Sequence, residues 1–383
     1  MKIFYIITLL FISVVTQAQI VDIPDANFKN ALVNTNCVDI DGDWNGDIDA
    51  DTNNDGEIQV TEAESVLRLR VHSQDISSLE GIQDFTNLEE LFCFDNQLTS
   101  MNVTQNEYLQ YLWCTSNQLT NLNVTQNQNL ERLIFLENQL TSIDVTQNLQ
   151  LEKLSFYGNQ LLSLDVTQNP NLEELSCSSN QLTSLNVTQN PNLEKLTCWN
   201  NQISSLDLSQ NPNLVDLSLG NNALISLDIS QSPNLEKLWF SNNQLLINLN
   251  IKNGNNQNMT RLWVNDNPNL ICIQVDDVVY ANNQDCDNNN WCKDDWTEYS
   301  EECILGIEEN SLISFTIYPN PTQDVLFIDT QQSIETIKIY NVQGQLVKGV
   351  SYNNVDVSQL TTGLYFIQVT LDGKTITKKF IKE

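Results

Sequence analysis

The chain is 383 residues long and short of three things. It has a single histidine, His72. It has 17 lysines and arginines against 49 aspartates and glutamates, a formal net charge of −32. Beyond its first residues it has no apolar run long enough to cross a bilayer. One imidazole leaves a Ser-His-Asp or Cys-His pair a single candidate, and an HExxH metal motif cannot be written. A field this negative argues against nucleic-acid binding, because phosphate backbones demand clustered Lys and Arg. The acidity is not a mark of disorder, since 40% of the residues are apolar, enough for a real core. What remains is a soluble binding or structural protein without enzymatic activity, whose ligand the composition does not name.

The two ends concern export. Residues 1–18 read as a secretory signal: Lys2 is the positive start, Ile3 to Val15 the apolar run, and Thr16-Gln17-Ala18 the cleavage region. The mature chain would then begin at Gln19 and carry no transmembrane segment. After a linker at 305–313, residues 314–383 change character, holding six of the seventeen basic residues. Alternating runs such as Val325-Leu326-Phe327-Ile328, Ile337-Lys338-Ile339-Tyr340 and Tyr365-Phe366-Ile367-Gln368-Val369 read as strands. Gln343-Gly344 and Asp372-Gly373 mark hairpin turns, so a small antiparallel β-sandwich is expected. Tyr318-Pro319-Asn320-Pro321, Ile339-Tyr340-Asn341 with Gly344, Gly363-Leu364-Tyr365-Phe366 and Lys379-Phe380-Ile381-Lys382 occur in the order seen in a known family. This segment resembles the C-terminal sorting domain of type IX secretion in Bacteroidetes. The resemblance implies handling by that secretion machinery, removal of the domain, and a product secreted or held at the outer-membrane surface.

An acidic segment lies in the N-terminal cap, residues 19–65. From Asp51 the spacing fits a twelve-residue calcium loop. Asp51, Asn53 and Asp55 take positions 1, 3 and 5, Gly56 makes the turn at 6, and the Glu57 carbonyl serves at 7. Gln59 holds a water at 9 and Glu62 closes at 12. Hard oxygen donors in this number favour calcium over magnesium or zinc. Residues 60–67 suit an exiting helix, but Gly42 to Ala50 is too rich in Gly and Asp for an entering one. The segment therefore resembles the half-EF-hand of dockerin-like calcium loops, and the ion is expected to be structural. Asp39, Asp41, Asp43, Asp47 and Asp49 form a second candidate group that lacks the Gly and Glu of a full loop.

Residues 66–271 repeat. Asn96, Asn117, Asn138, Asn159, Asn180, Asn201, Asn222 and Asn243 recur every 21 residues, and a unit of 24 leads on to Asn267. A second series, Asn106, Asn127, Asn148, Asn169, Asn190 and Asn211, follows ten residues behind the first. Each half-unit reads LxxLxΦxxN with Φ apolar. The Leu-x-Φ step has the period of a strand, and each Asn sits where the chain turns and can satisfy turn backbone groups. A lone unit cannot bury enough apolar surface to fold, whereas stacked units cover one another. Both halves carry the strand pattern, so the fold class is mainly β: a coil with two parallel sheets. The pattern resembles bacterial leucine-rich repeats of the nested 21-residue class, with an internalin-like first coil in which His72 points outward. Cys93, Cys114, Cys177 and Cys198 share a column with Phe135, Phe156, Leu219 and Phe240 and read as buried free thiols. The C-terminal cap, residues 272–304, holds Cys272, Cys286, Cys292 and Cys303, for which sequence alone allows three connectivities. The resemblance implies Cys272 with Cys303, leaving Cys286 with Cys292, while Cys37 has no evident partner.

Ligand contact is expected where outward residues differ from coil to coil. On the first half-strand these are Phe92, Phe94, Trp113, Ile134, Leu136, Tyr157, Trp199, Trp239 and Trp263. Beside them runs a charged column of Glu90, Arg132, Lys153, Glu174, Lys195, Asp216, Lys237 and Arg261. Aromatic side chains on the solvent face of a sheet mark a binding patch. Mixed with charges they suit adhesion to a protein ligand outside the cell; the alternative is capture of a glycan, since flat rings also suit sugars.

Overall fold

The computed structural model describes residues 19–303, 315–330, 333–341, 345–350, 352–371 and 374–383. The expected signal segment at 1–18, the expected linker at 305–313 and the expected turns at 343–344 and 372–373 lie outside the described residues. The chain divides into two compact units at Cys303/Ile304.

The first unit is a solenoid. Its main sheet has eleven parallel strands among the described residues, from Arg68–Arg70 to Trp291–Cys292, one per coil. Each strand is only three residues long over most of the sheet, with the middle leucine inward: Leu91, Leu112, Leu133, Leu154, Leu175, Leu196, Leu217, Leu238 and Leu262 are fully enclosed. Coils pair residue for residue, Leu133 against Leu154 and Leu154 against Leu175, so inward and outward columns are continuous. One apolar core runs from Val21 to Tyr299 and includes both caps.

Two asparagine series hold this register. Asn138 donates from Nδ2 to the Cys114 carbonyl one coil back at 3.0 Å and accepts from the Leu119 N–H at 2.9 Å. Asn127, in the second series, donates to the carbonyls of Val103 at 2.9 Å and Asn106 at 2.8 Å, both in the preceding coil. These bonds satisfy turn carbonyls that would otherwise be buried and unpaired.

The expected second sheet is much shorter than the first. It has four strands, Ser226–Asp228, Asn248–Asn250, Cys272–Gln274 and Glu298–Ser300, all in the last coils. In earlier coils the same side is held by Asn amides and by turns in which Asn102 Oδ1 accepts from the Thr104 N–H and hydroxyl. Such side-chain bonds compete with strand pairing. The short sheet begins in the coil where Ser232 replaces the ladder asparagine and reaches only the Asn211 carbonyl.

The cysteine column also departs from expectation. Cys177 and Cys198, in successive coils, form a disulfide with Cα atoms 4.8 Å apart, whereas Cys93 and Cys114 are free and buried. A column register brings equivalent side chains of adjacent coils within disulfide reach, which the one-dimensional pattern of small apolar residues does not express. In the C-terminal cap Cys272 joins Cys303 and Cys286 joins Cys292; Cys37 is free and buried.

The second unit has two antiparallel sheets. One contains Thr316–Tyr318, Val325–Asp329 and Asn354–Asp356; the other contains Ile334–Asn341, Leu346–Val350, Gly363–Leu371 and Lys374–Lys382. Leu326, Ile328, Ile337, Ile339, Val369 and Phe380 lie in the core they enclose. No helix of the described residues is long and apolar enough to cross a membrane.

The disulfide pattern has a direct readout. Alkylation of the denatured, unreduced protein is expected to label Cys37, Cys93 and Cys114 and leave the other six cysteines blocked. Labelling of Cys177 or Cys198 in mass spectrometry would contradict the inter-coil bridge.

Candidate binding face and cation loop

Outward residues of the main sheet form three columns, set by the strand period of two. The first carries charge, the second runs through the third residue of each strand, and the third lies two residues beyond. They do not expose their aromatic residues equally. Phe92 is 2% exposed, and Phe92, Tyr111 and Ile134 form a small core of their own with Phe94, Trp113 and Leu136 against it. Phe92 and Ile134 are thus packing residues rather than open contact points, a correction to the equal exposure expected of the row.

The cover comes from the N-terminal cap. Trp44, on the acidic loop, packs edge-on against Phe92 and Tyr111 with centroids 6.1 and 6.2 Å apart, and is itself 51% exposed. The Arg70 guanidinium lies 3.8 Å above the Phe92 ring. Its Nη2 reaches Asp39 at 2.7 Å and Glu90 at 2.5 Å, with the Arg70 and Asp39 side chains almost wholly enclosed. Neither Trp44 nor Tyr111 stands out in the sequence. Tyr111 occupies a position otherwise read as charged, and Trp44 sits among aspartates in a left-handed turn with φ +76°.

His72 is half-buried, stacked on Phe94 at 4.3 Å, not freely outward. Burial, and then the charge of Arg70, hold its pKa below the usual imidazole value. Farther along, Tyr157 and Trp199 touch at 5.6 Å although they belong to coils two apart, and Trp199 is 39% exposed. Trp239 and Trp263 meet edge-on at 4.4 Å, with the Arg261 guanidinium 4.4 Å above Trp239. The charged column is partly self-paired: Lys153 reaches Glu174 at 2.6 Å and Lys237 reaches Asp216 at 4.0 Å. A separate polar groove of about 470 Å³ lies at residues leading into the strands, lined in part by Glu194, Asn213, Asn234, Glu236 and Asn255.

The calcium-shaped loop closes on itself. Asp51, buried, accepts from the N–H groups of Asp55 at 3.1 Å and Gly56 at 2.8 Å. Glu62, at the start of the short helix Val60–Ala63, accepts from the Thr52 hydroxyl at 2.7 Å, the Asn53 N–H at 3.2 Å and the Gln59 N–H at 3.0 Å. That helix is shorter than the 60–67 segment expected. Asp55 binds the Gln59 amide, and Gly56 takes φ +83° with open space where a Cβ would be. The oxygen-rich donor set and this turn fit a hard cation. In the second group, Asp39, Asp41 and Asp43 each bring an oxygen within 4.8 Å of the others; both oxygens of Asp39 accept hydrogen bonds, as those of Asp51 and Glu62 do, from Gly42 N–H on one side and from Trp44 N–H and Arg70 on the other.

Comparison with known proteins adds export. Residues 316–383 match the secretion system C-terminal sorting domain family. That domain indicates secretion, with outer-membrane or surface attachment. The functional domain of InlJ from Listeria monocytogenes, described as including a cysteine ladder, is 21% identical over 96% of this chain and 99% of its own, with a TM-score of 0.46. An internalin, InlF, from the same species is 18% identical over 75% of this chain and 94% of its own, TM-score 0.47. Internalin C2, also from Listeria monocytogenes, is 20% identical over 68% of this chain and 98% of its own, TM-score 0.37. No curated protein matches the chain. The fold itself rests on the chain's own register, a solenoid of stacked parallel strands with one main-sheet strand per coil.

The Arg70 network predicts a pH response. Burial opposes ionisation of Asp39, but the Gly42 N–H, the Arg70 guanidinium and the Trp44 N–H outweigh it and hold the carboxyl below the usual aspartate range. A carboxyl depressed on folding stabilises above its unfolded pKa, about 3.9, and that contribution is lost as pH falls below it. Urea midpoints are expected to fall between about pH 5 and about pH 3, and to fall less in Asp39→Asn. Arg70→Ala should cost about 3–5 kcal/mol at neutral pH by leaving Asp39 buried without its counter-ion. A loss below about 1 kcal/mol would place the pair in solvent.

Proposed function

We propose that the protein is an exported, non-catalytic binding protein that captures a ligand outside the cell on the main sheet face. The observation that carries this reading is the outward aromatic set of Trp113, Tyr157, Trp199, Trp239 and Trp263, beside a charged column, on an otherwise regular scaffold. Half-exposed aromatic side chains on a rigid sheet are low-entropy anchors of the kind that dominate binding energy. Their mixture with Glu and Lys suits a protein ligand, and adhesion at the cell surface is the corresponding role. The non-catalytic reading rests on the residue inventory, in which His72 is the one imidazole. A second reading, a glycan ligand, is favoured by the small hydroxyl residues Ser155, Ser176, Thr197 and Ser218 that lie in register between the aromatic groups.

The test is binding of the intact protein to panels of surface proteins and polysaccharides, with Trp113→Ala/Trp239→Ala beside the wild type. Loss of both anchors should weaken the captured ligand by about 2 kcal/mol or more, roughly 30-fold. Equal binding by both forms would remove the aromatic face from the site.

Calcium belongs to the same proposal as a structural ion in loop 51–62, where it would neutralise Asp51, Asp55 and Glu62 and tie the cap to the first coil. Millimolar calcium should raise the melting temperature over an EDTA-treated sample, and Asp51→Asn/Glu62→Gln should abolish the difference. An unchanged melting temperature in the wild type would show that the hydrogen bonds of the loop suffice without an ion.

A further inference from the structure

Between the two aromatic groups the middle column changes to small hydroxyl residues. The register is continuous: Ile134 pairs with Ser155, Ser155 with Ser176, Ser176 with Thr197, Thr197 with Ser218, and Ser218 with Trp239. Five steps of about 4.8 Å make a trough about 24 Å long, ended by Ile134 and Trp239. One side is the charged column from Lys153 to Asp216. The other is the Tyr157–Trp199 pair, which touches across the intervening coil above Ser178.

The floor hydroxyls have no partners. None of Ser155, Ser176, Thr197 and Ser218 makes a side-chain hydrogen bond to another described residue. Ser178, 1% exposed, has an enclosed Oγ that is also unpaired. In the turns of the other half-unit, by contrast, Thr104, Thr125, Thr146, Thr167 and Thr188 each donate to the Asn or Asp two residues earlier. An apolar protein anchor laid in the trough would bury these groups unsatisfied. A polyhydroxylated ligand can both donate to and accept from each.

The basic residues of the solenoid gather on this face. Residues 19–303 contain ten Lys and Arg: seven on this sheet (Arg68, Arg70, Arg132, Lys153, Lys195, Lys237, Arg261) and three elsewhere (Lys29, Lys252, Lys293). Lys195 is exposed, and its neighbours Glu174 and Asp216 are paired with Lys153 and Lys237, so among the described residues it has no ion pair. On one strand and its extension Lys195, Thr197 and Trp199 all point outward, offering a cation, a hydroxyl and a ring face in a row. We propose that this trough binds a carboxylated glycan. A sugar chain runs along the solenoid axis with its carboxylate at Lys195, its hydroxyls on the Ser/Thr floor and a C–H face on Trp199. The coil spacing is close to the width of one pyranose ring, so successive sugars meet successive coils. The inference rests on the sheet face being the ligand face and commits to the second ligand class.

The experiment titrates hyaluronan and oligogalacturonate hexamers into the intact protein, with cellohexaose as the neutral control. Lys195→Gln, Trp199→Ala and the off-face control Lys252→Gln are compared, each shown by thermal melting to be folded. Expected are binding of a uronate oligomer that weakens with added salt, a loss of tenfold or more in Lys195→Gln, loss of binding in Trp199→Ala, and no change in Lys252→Gln. No uronate binding, equal affinity for cellohexaose, or indifference to Lys195→Gln and Trp199→Ala would overturn it. Capture of a protein that is lost in Trp113→Ala/Trp239→Ala but kept in Lys195→Gln and Trp199→Ala would overturn the glycan site while upholding the face.

Discussion

No coil of this solenoid can bury its own leucines, and the structure depends on neighbouring coils meeting in strict register. A coil contributes one three-residue strand and a few turns, too little apolar surface to offset the entropy of ordering it. Stacking closes the core, and the asparagines make the stack specific. Asn138 and Asn127 each bond backbone atoms of the coil before them, so a coil slipped by one residue would lose its leucine burial and strand both amides. The same register that protects the core aligns the outward columns, and a row of side chains becomes a surface.

The ends of the stack are where that logic fails, because the terminal coils have only one neighbour. The N-terminal cap meets the first coil through Asp25, which caps the helix Ala26–Asn34 and also accepts from the N–H groups of Ser77 and Ser78. Arg70 does the corresponding work on the face, joining Asp39 of the cap to Glu90 of the second strand while covering Phe92. The acidic loop is thereby coupled to the aromatic face. Trp44 stands on that loop and against that face at once, so the order of the loop bears on one end of the outward face.

Much of this was legible from periodicity. The inward leucines, the turn asparagines and the stacked parallel strands follow from a 21-residue repeat and the strand period, and the column membership of Trp199 or Lys195 follows with them. The exposure of each column member did not. Phe92 and Trp199 both point outward, in the second and third columns, yet one lies under Arg70 and Trp44 and the other is 39% exposed. The reach of the second sheet was equally hidden, since the Asn-x-Thr turns that replace it satisfy the same Leu-x-Val pattern. The Cys177–Cys198 bridge needed the distance between two coils, which a column of interchangeable small apolar residues does not contain.

By itself, then, the amino-acid order determined the period, the direction of each side chain and the chemistry available at each position, because alternation and repeat length are local properties of a strand. Only the tertiary structure decided which outward aromatics stay exposed and which are packed under the cap, and which lysine of the main sheet has no ion pair among the described residues. Those outcomes depend on what arrives from another coil or from the cap. Burial, hydrogen-bond satisfaction and charge pairing are properties of neighbours in space, and in a stacked coil the nearest neighbour is about 21 residues away.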